Sequence, residues 1–340
     1  MSTLLTKATQ IRMKQFHDGS TDDIFITTHD PVPALKKGEV KARTDWISLD
    51  PAMRGWTTNK RSYMKAVQPG EIMRCFGVAQ ILDSESNYFQ EGDWVTGFMG
   101  VQNVGVLPSK ALRKIDINIA SATDYLAGLG MTGYTGYFGM TDIGQPKAGE
   151  TVVVSAASGA VGSIAAQVAK LQGARVIGIA GGSEKCRYLT ENLALDDAID
   201  YKNDNIAEAL KQHCPDGIDV YFDNVGGETL DAVLANINYK GRVVVCGAVS
   251  QYGDFGNVQG PKNFMVTVTH SVKIQGFTMK DYFHRIPEAF AYLLKAKLTG
   301  DMVFREHIVE GLENFSQALN MIFTGQNHGK LLLKVKHEDA

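Results

Sequence analysis

The chain has 340 residues, 44% of them hydrophobic and 21% charged, with 35 glycines against 9 prolines; this is a folded composition, and the length exceeds what one core usually fills. Lys plus Arg number 34 and Asp plus Glu 37, so the formal charge of -3 supplies no basic field for nucleic acid or anionic lipid and points to small-molecule ligands. The opening segment MSTLLTKATQIRMKQFHDG lacks an apolar h-region and no apolar run approaches the ~18 residues of a membrane span, so neither is expected and a cytoplasmic location is.

From Glu39 to Leu112 short runs rich in Val, Phe and Trp (EVKART, CFGVAQIL, DWVTGF, NVGVLP) are separated by turn residues, which predicts a compact β domain. The texture changes near Tyr125, first to small-residue helices (YLAGLGMTGYTGYFGM), then to apolar strands alternating with amphipathic segments. Strands are expected over Thr151 to Ser155, Arg175 to Ala180, Ala198 to Asp200, Val220 to Asp223, Arg242 to Cys246 and Lys273 to Phe277, the pattern of a doubly wound parallel α/β sheet. After Asp301 come a strand-like REHIVEG, a helix from about Leu312 to Phe323 and a run, KLLLKV, that returns to a sheet. Cys75, Cys186, Cys214 and Cys246 stand far apart without C-x-x-C spacing, so they read as small buried hydrophobes, and neither a disulfide nor a metal is expected.

The segment TVVVSAASGAVGSIAAQVAK, from Thr151 to Lys170, is a buried-type strand, a tight small-residue turn and an amphipathic helix. It matches the dinucleotide fingerprint with Ala157 in the first glycine position. Gly159 lets the backbone approach a pyrophosphate, Gly162 lets the helix pack on the strand, and the amides of Ala160, Val161 and Gly162 point at phosphate oxygens. At the end of the next strand, where NAD proteins place a carboxylate, the sequence reads Ala180-Gly181-Gly182-Ser183-Glu184-Lys185. A hydroxyl and a lysine there suit a dianionic 2′-phosphate, which predicts NADPH over NADH, with Glu184 as the competing feature.

Several segments together resemble the zinc-independent medium-chain dehydrogenase/reductases, in particular the NADPH-dependent alkenal double-bond reductases that include prostaglandin and curcumin reductases. They are Leu49-Asp-Pro-Ala-Met-Arg54, Gly130-Met-Thr-Gly-Tyr-Thr-Gly-Tyr-Phe-Gly139, Ala156-Ala-Ser-Gly-Ala-Val-Gly162, Tyr221-Phe-Asp-Asn-Val-Gly-Gly-Glu228, Cys246-Gly-Ala-Val-Ser-Gln-Tyr252 and Asn327-His-Gly-Lys330. The resemblance implies a β-rich GroES-like catalytic domain over 1–125, completed by 301–340, and a Rossmann NADPH-binding domain over 126–300, in a chain that forms homodimers. It also implies that Lys185 and Tyr201, with Gly182 and Ser183, meet the 2′-phosphate end and that Asn224 meets the adenosine side. Cys246, Gly247, Ala248, Ser250 and Tyr252, with Phe277 to Met279, are implied for the nicotinamide half, Asn327 for the pyrophosphate, and Pro51 and Thr132 for the cofactor site as well. On the residues alone, Asn224 and Asn327 also suit turns, and Tyr201 suits a half-buried strand position.

Zinc alcohol dehydrogenases of the wider superfamily carry a Gly-His-Glu segment and a four-cysteine lobe, where this chain has Arg74-Cys75-Phe76-Gly77-Val78 and no lobe. A site without that Lewis acid stabilises developing oxyanion charge with hydrogen-bond donors, which suits hydride addition to the β-carbon of an enal or enone. Tyr252, on a loop after the fifth strand, is the leading donor and Tyr63 the second, also implied by the resemblance. Ala52 and Phe76 stand where relatives carry tyrosines, so the pocket is expected to be less polar than theirs. A quinone reductase and a non-catalytic NADPH-binding protein are the competing functions.

Overall fold

The computed structural model describes residues 6–19, 23–60, 62–252 and 260–337. In chain order the first strands are β1 (Lys7–Met13), β2 (Phe25–Pro31), β3 (Glu39–Ser48), β4 (Phe76–Ser84), β5 (Trp94–Phe98), β6 (Val104–Pro108) and β7 (Leu112–Ile115), with helix α1 (Ala52–Trp56) between β3 and β4. The middle of the chain forms α2 (Met131–Phe138), β8 (Thr151–Ser155), α3 (Gly162–Leu171), β9 (Arg175–Ala180), α4 (Ser183–Arg187), β10 (Asp197–Asp200), α5 (Ile206–His213), β11 (Ile218–Asp223), α6 (Gly227–Leu234) and β12 (Ile237–Val245). Then follow α7 (Val266–Thr269), β13 (Lys273–Gly276), α8 (Ile286–Leu298), β14 (Glu306–Glu310), α9 (Phe315–Thr324) and β15 (Lys330–Lys334).

Two compact units result. One takes the chain up to Leu126, Glu306–Asn327 and the segment from Leu331 onward; the other takes Ala127–Arg305 and His328–Lys330. The first is β-rich: among the described residues a sheet runs β14-β15-β3-β4-β5-β7, antiparallel from β15 to β7, with β6 also paired to β3, and β1 and β2 form a separate ribbon. Its core gathers Ile47, Leu49, Met53, Trp56 and Cys75 with Phe315 and Leu319 of α9 and Leu331 and Leu333 of β15, so the late segments fill the same interior as the early ones. The apolar alternation that predicts β3 to β6 does not extend to β1, where Gln10 and Arg12 interrupt a strand that nonetheless buries Ala8, Ile11 and Met13.

The second unit holds a six-stranded parallel sheet in the order β10-β9-β8-β11-β12-β13. Its strands start and end close to the apolar runs in the sequence because a parallel sheet covered on both faces demands nearly continuous hydrophobicity; every residue of β8 is buried. β11 and β12 begin earlier, at Ile218 and Ile237, where polar residues carry the ladder past the apolar run. The small-residue stretch is less helical than its composition implies. Leu126 to Gly130 form turns, α2 begins at Met131, and the helix widens to a π turn over Gly139–Gly144.

One ionic clasp secures the end of the sheet opposite the phosphate turn. Arg242 donates from Nε to the Gly144 carbonyl at 2.9 Å, from Nη2 to the Gln145 carbonyl at 3.1 Å, and from both Nη atoms to the Glu150 carboxylate. Burial alone would raise the Glu150 pKa, but Arg242 and the Lys147 amide hold it below the usual carboxylate range. A depressed carboxylate contributes stability that is full above its unfolded pKa and disappears as pH falls through its folded pKa. Glu150→Gln is therefore expected to lower the Tm at neutral pH, with the gap to the wild type closing below the ordinary carboxylate pKa; a gap independent of pH in thermal melts would show that the pair contributes nothing through its charge.

Candidate active site

The sheet order reverses at β8, which pairs with β9 on one side and β11 on the other. Ligands of doubly wound sheets sit outside the carboxyl ends of the strands at such a reversal. Here the seam is closed by Asn224, which follows β11: its amide N–H donates to Ser155 Oγ at 2.9 Å, and its Nδ2 donates to the Ser155 carbonyl at 2.7 Å.

From Ser155 the chain turns into α3. The left-handed backbone falls on Ala156, with φ 47°, one residue before the position the fingerprint spacing designates, while Ala157 continues the ladder by donating to the Ile179 carbonyl at 3.0 Å. A left-handed alanine costs roughly 1 kcal/mol, so the rest of the turn must hold it in place. Gly162 does so by close approach: a Cβ there would stand 2.3 Å from the Ala156 carbonyl oxygen. The Ser163 amide donates to the Gly159 carbonyl at 3.0 Å, so the amides of Ala160, Val161 and Gly162 lie ahead of that helical bond, at the position where helices hold anions. Gly159 and Ala160 are partly exposed, and a Cβ on Gly159 would meet only the Ala156 oxygen within 4 Å. This open, amide-bearing surface fits a diphosphate. Gly329 bridges to Gly159 in parallel, so the segment His328–Lys330 edges the same turn.

Beyond β9, Gly182 opens α4 with φ 96°, and its N–H donates to Asp200 Oδ1 at 2.7 Å. Asp200 also accepts from the Lys202 amide and from Asn203 Nδ2; against the opposing effect of burial, these bonds keep its carboxyl below the usual range. The carboxylate at the end of β10 is thus spent on the loop itself. Tyr201 is half exposed, and its ring lies over Gly181, where a Cβ would stand 2.7 to 2.9 Å from the ring and hydroxyl. Lys185 is only 9% exposed; burial, then the positive charges of Lys202 and Arg305, push its pKa down, opposed by Glu184. Glu184 pairs with Arg305 at 3.3 Å and with His328 at 3.4 Å. The feature that competes with Lys185 in the sequence is therefore engaged by the Arg305 guanidinium, with the His328 ring beside it. The donor set fits a phosphate dianion, which would offset the charge crowding at Lys185.

The loops after β11 and β12 are laced together. The Cys246 and Gly247 amides donate to the Asp223 carbonyl at 2.9 and 3.1 Å, the Val249 amide to the Asn224 carbonyl at 3.1 Å, and Ser250 Oγ to the Val225 carbonyl at 2.6 Å. The buried Asp223 carboxylate organises this from below, accepting from the Val225 and Gly226 amides at 2.9 and 2.8 Å and from Tyr221 Oη at 2.9 Å. Burial pushes the Asp223 carboxyl up, and burial followed by the charge of Asp223 pushes the Cys246 thiol up to about 12, so the Cys246 thiol is neutral. Tyr252 ends the loop with its oxygen 3.4 Å from the Ala248 amide, which donates to it. Residues 253–259 lie outside the described residues.

Gly159 to Gly162, Gly182 to Lys185, Tyr201, Asn224 and Cys246 to Tyr252 therefore share the carboxyl edge of one sheet. Phe277 follows β13 on that edge, with its ring against Gly139, and Met279 begins the next turn. Thr132 lies on α2, where its Oγ1 donates to the Ala127 carbonyl at 3.1 Å. Pro51, at the start of α1, Tyr63 and Asn327 belong to the other unit; Tyr63 is 51% exposed and lines an open hollow with Lys60, Lys65 and Arg74. Phe76 packs against Phe98 with ring centroids 3.9 Å apart. Among the described residues no three His, Cys, Asp or Glu side chains converge as a metal site would need. Sequence reasoning missed Lys202, Arg305 and Asp223. Lys202 adjoins Tyr201, a local hint, whereas Arg305 reaches Glu184 across 121 positions and leaves no sequence signal.

Residues 9–115 match the N-terminal domain of oxidoreductase family, and residues 160–295 match the zinc-binding dehydrogenase family. The NADPH-dependent curcumin reductase of Escherichia coli is 39% identical over 95% of this chain and 95% of its own. The NADP(+)-dependent 2-alkenal reductase of Nicotiana tabacum is 38% identical over 88% of each chain. The chain belongs to the zinc-independent, NADPH-dependent alkenal double-bond reductases of the medium-chain dehydrogenase/reductases. The crystal structure of CurA from Vibrio vulnificus in complex with NADPH superposes with a TM-score of 0.91 at 36% identity, covering 97% of this chain and all of that one. The two units accordingly are the GroES-like and Rossmann folds of this reductase family.

Because Gly162 is closed to any Cβ, Gly162→Ala must push α3 off the Ala156 carbonyl. We expect it to weaken NADPH and NADH together, by about tenfold or more if one charge-assisted phosphate contact is lost; unaltered fluorescence titrations with both nucleotides would mean that the turn does not hold the diphosphate.

Proposed function

We propose that the protein reduces the carbon-carbon double bond of α,β-unsaturated aldehydes and ketones with NADPH, without zinc. The reading is carried by the carboxyl edge of the parallel sheet, where a diphosphate turn, a lysine-bearing 2′-phosphate turn and a tyrosine-ended loop occur in succession. When bound, NADPH supplies a hydride. The chain holds its diphosphate with the amides of Ala160 to Gly162 and its 2′-phosphate with Ser183, Lys185 and Tyr201. Asn224 supports the adenosine side, and Cys246 to Ser250 with Phe277 and Met279 support the nicotinamide half. Thr132 is assigned to the cofactor site by family resemblance.

As hydride reaches the β-carbon of an enone, negative charge moves to the carbonyl oxygen, and a hydrogen-bond donor aimed there lowers the barrier. Tyr252 is assigned that role. Its phenol ends the loop fixed by Asp223, so the donor rests on a rigid support, and Tyr63 is the second candidate. Tyr252→Phe should reduce turnover of enones by about a hundredfold while leaving NADPH affinity nearly unchanged. Turnover of an enal, an enone and a quinone measured side by side is expected to favour the first two; a variant as fast as the wild type would place the donor elsewhere, and a preference for the quinone would favour the quinone reductase reading.

Among the described residues no helix is long and apolar enough to cross a membrane, which is compatible with a cytoplasmic reductase. Association into homodimers is supported by the β13 edge of the parallel sheet, where Ile274 is exposed on the strand and Phe264, Met265 and Val268 on the preceding segment. Light scattering should report twice the chain mass, and Ile274→Lys should shift it toward one; a monomeric wild type would refute the assignment.

A further inference from the structure

Lys185, Lys202 and Arg305 bring three positive charges to the Gly182–Ser183 turn, while the nearest carboxylate of β10, on Asp200, is taken up by the Gly182 and Lys202 amides and Asn203. That leaves Glu184 as the local acid, and it is shared between Arg305 and His328. Arg305 is anchored by both side chain and backbone: its Cζ lies 4.6 Å from the centroid of the buried Tyr188 ring, and its carbonyl accepts the Lys330 amide at 2.8 Å. Gly329, next to Lys330, bridges to Gly159, so the segment that bonds the arginine's carbonyl also borders the diphosphate turn. A stacked, planar fork of donors beside a buried lysine is the arrangement that recognises a phosphate dianion more selectively than one ammonium does.

We infer that Arg305 is a second selector for the 2′-phosphate of NADPH and that Glu184 is its resident counter-ion, which the incoming phosphate must displace. The inference rests on the placement of the 2′-phosphate at Lys185. It assigns the neighbours Glu184 and Arg305 opposite effects: the arginine favours the phosphorylated nucleotide, and the glutamate weakens its binding by holding the arginine and by repelling the dianion. Neither effect extends to NADH, whose free ribose hydroxyl carries no charge.

The test is calorimetric titration of the full chain with NADPH, NADH and adenosine 2′,5′-bisphosphate. Arg305→Gln should weaken NADPH and the bisphosphate by about tenfold, the scale of one charge-assisted hydrogen bond, and spare NADH. Glu184→Gln should tighten the two phosphorylated ligands severalfold and again spare NADH. Equal losses for NADPH and NADH in Arg305→Gln, or no loss, overturn the inference. If that variant does not fold, Glu184→Gln decides alone, and unchanged NADPH affinity is the overturning result. Lys185→Ala separates the two levels of the argument: a preserved NADPH preference there removes the 2′-phosphate site and this inference with it. A collapsed preference in Lys185→Ala with an intact one in Arg305→Gln removes Arg305 only.

Discussion

The two hydrogen bonds from Asn224 to Ser155 close the sheet at the place where strand order reverses, and the rest of the nucleotide site is built outward from that seam. A reversal of this kind leaves the ends of β8 and β11 without crossover helices between them, so backbone groups there need partners other than a continuing ladder. Ser155 meets that need with its hydroxyl and carbonyl, and Asp223, the last residue of β11, meets it for the following loop. Because Asp223 accepts from two amides and a phenol while its own carbonyl receives Cys246 and Gly247, displacement of the loop after β12 would break several bonds at once. The loop after β12 is thus tied down through one buried carboxylate.

The sequence exposes the parallel sheet well and the β-rich unit less well, for a physical reason. Strands covered on both faces must be apolar throughout, so Thr151 to Ser155 and Arg175 to Ala180 stand out as runs whose ends coincide with β8 and β9. A ribbon such as β1 with β2 keeps one face in water, and in KATQIRM the alternation is blurred by Gln10, which is buried yet satisfied by Gln102 Oε1 at 3.0 Å. The site shows the same contrast. The turn at Gly159 to Gly162, proposed to act through its backbone amides, is marked by small residues at fixed spacing. Side chains that act across long separations, Arg305 above all, carry no local signature, and the left-handed residue Ala156 is invisible because alanine is common everywhere.

Charge in this site is managed by commitment of carboxylates more than by their removal. Asp200 and Glu184 both stand near the ribose turn, as acidic residues do in NAD-binding sheets, but each is already bound, the first by amides and the second by Arg305 and His328. Lys202 and Arg305 therefore crowd Lys185 with positive charge, opposed by Glu184, although acids and bases are nearly balanced in the chain as a whole. Net composition and local potential are separate quantities, and the second is set by which side chains already have partners.

His328–Lys330 belongs with the nucleotide-binding unit although the segments on either side of it belong with the other. During synthesis the phosphate turn at Gly159 emerges long before Gly329, its bridging neighbour. Chains grow from the N-terminus, and a contact of such wide sequence separation cannot form until its later partner has left the ribosome. A nascent chain consequently presents an unfinished edge at Gly159 until Gly329 has emerged.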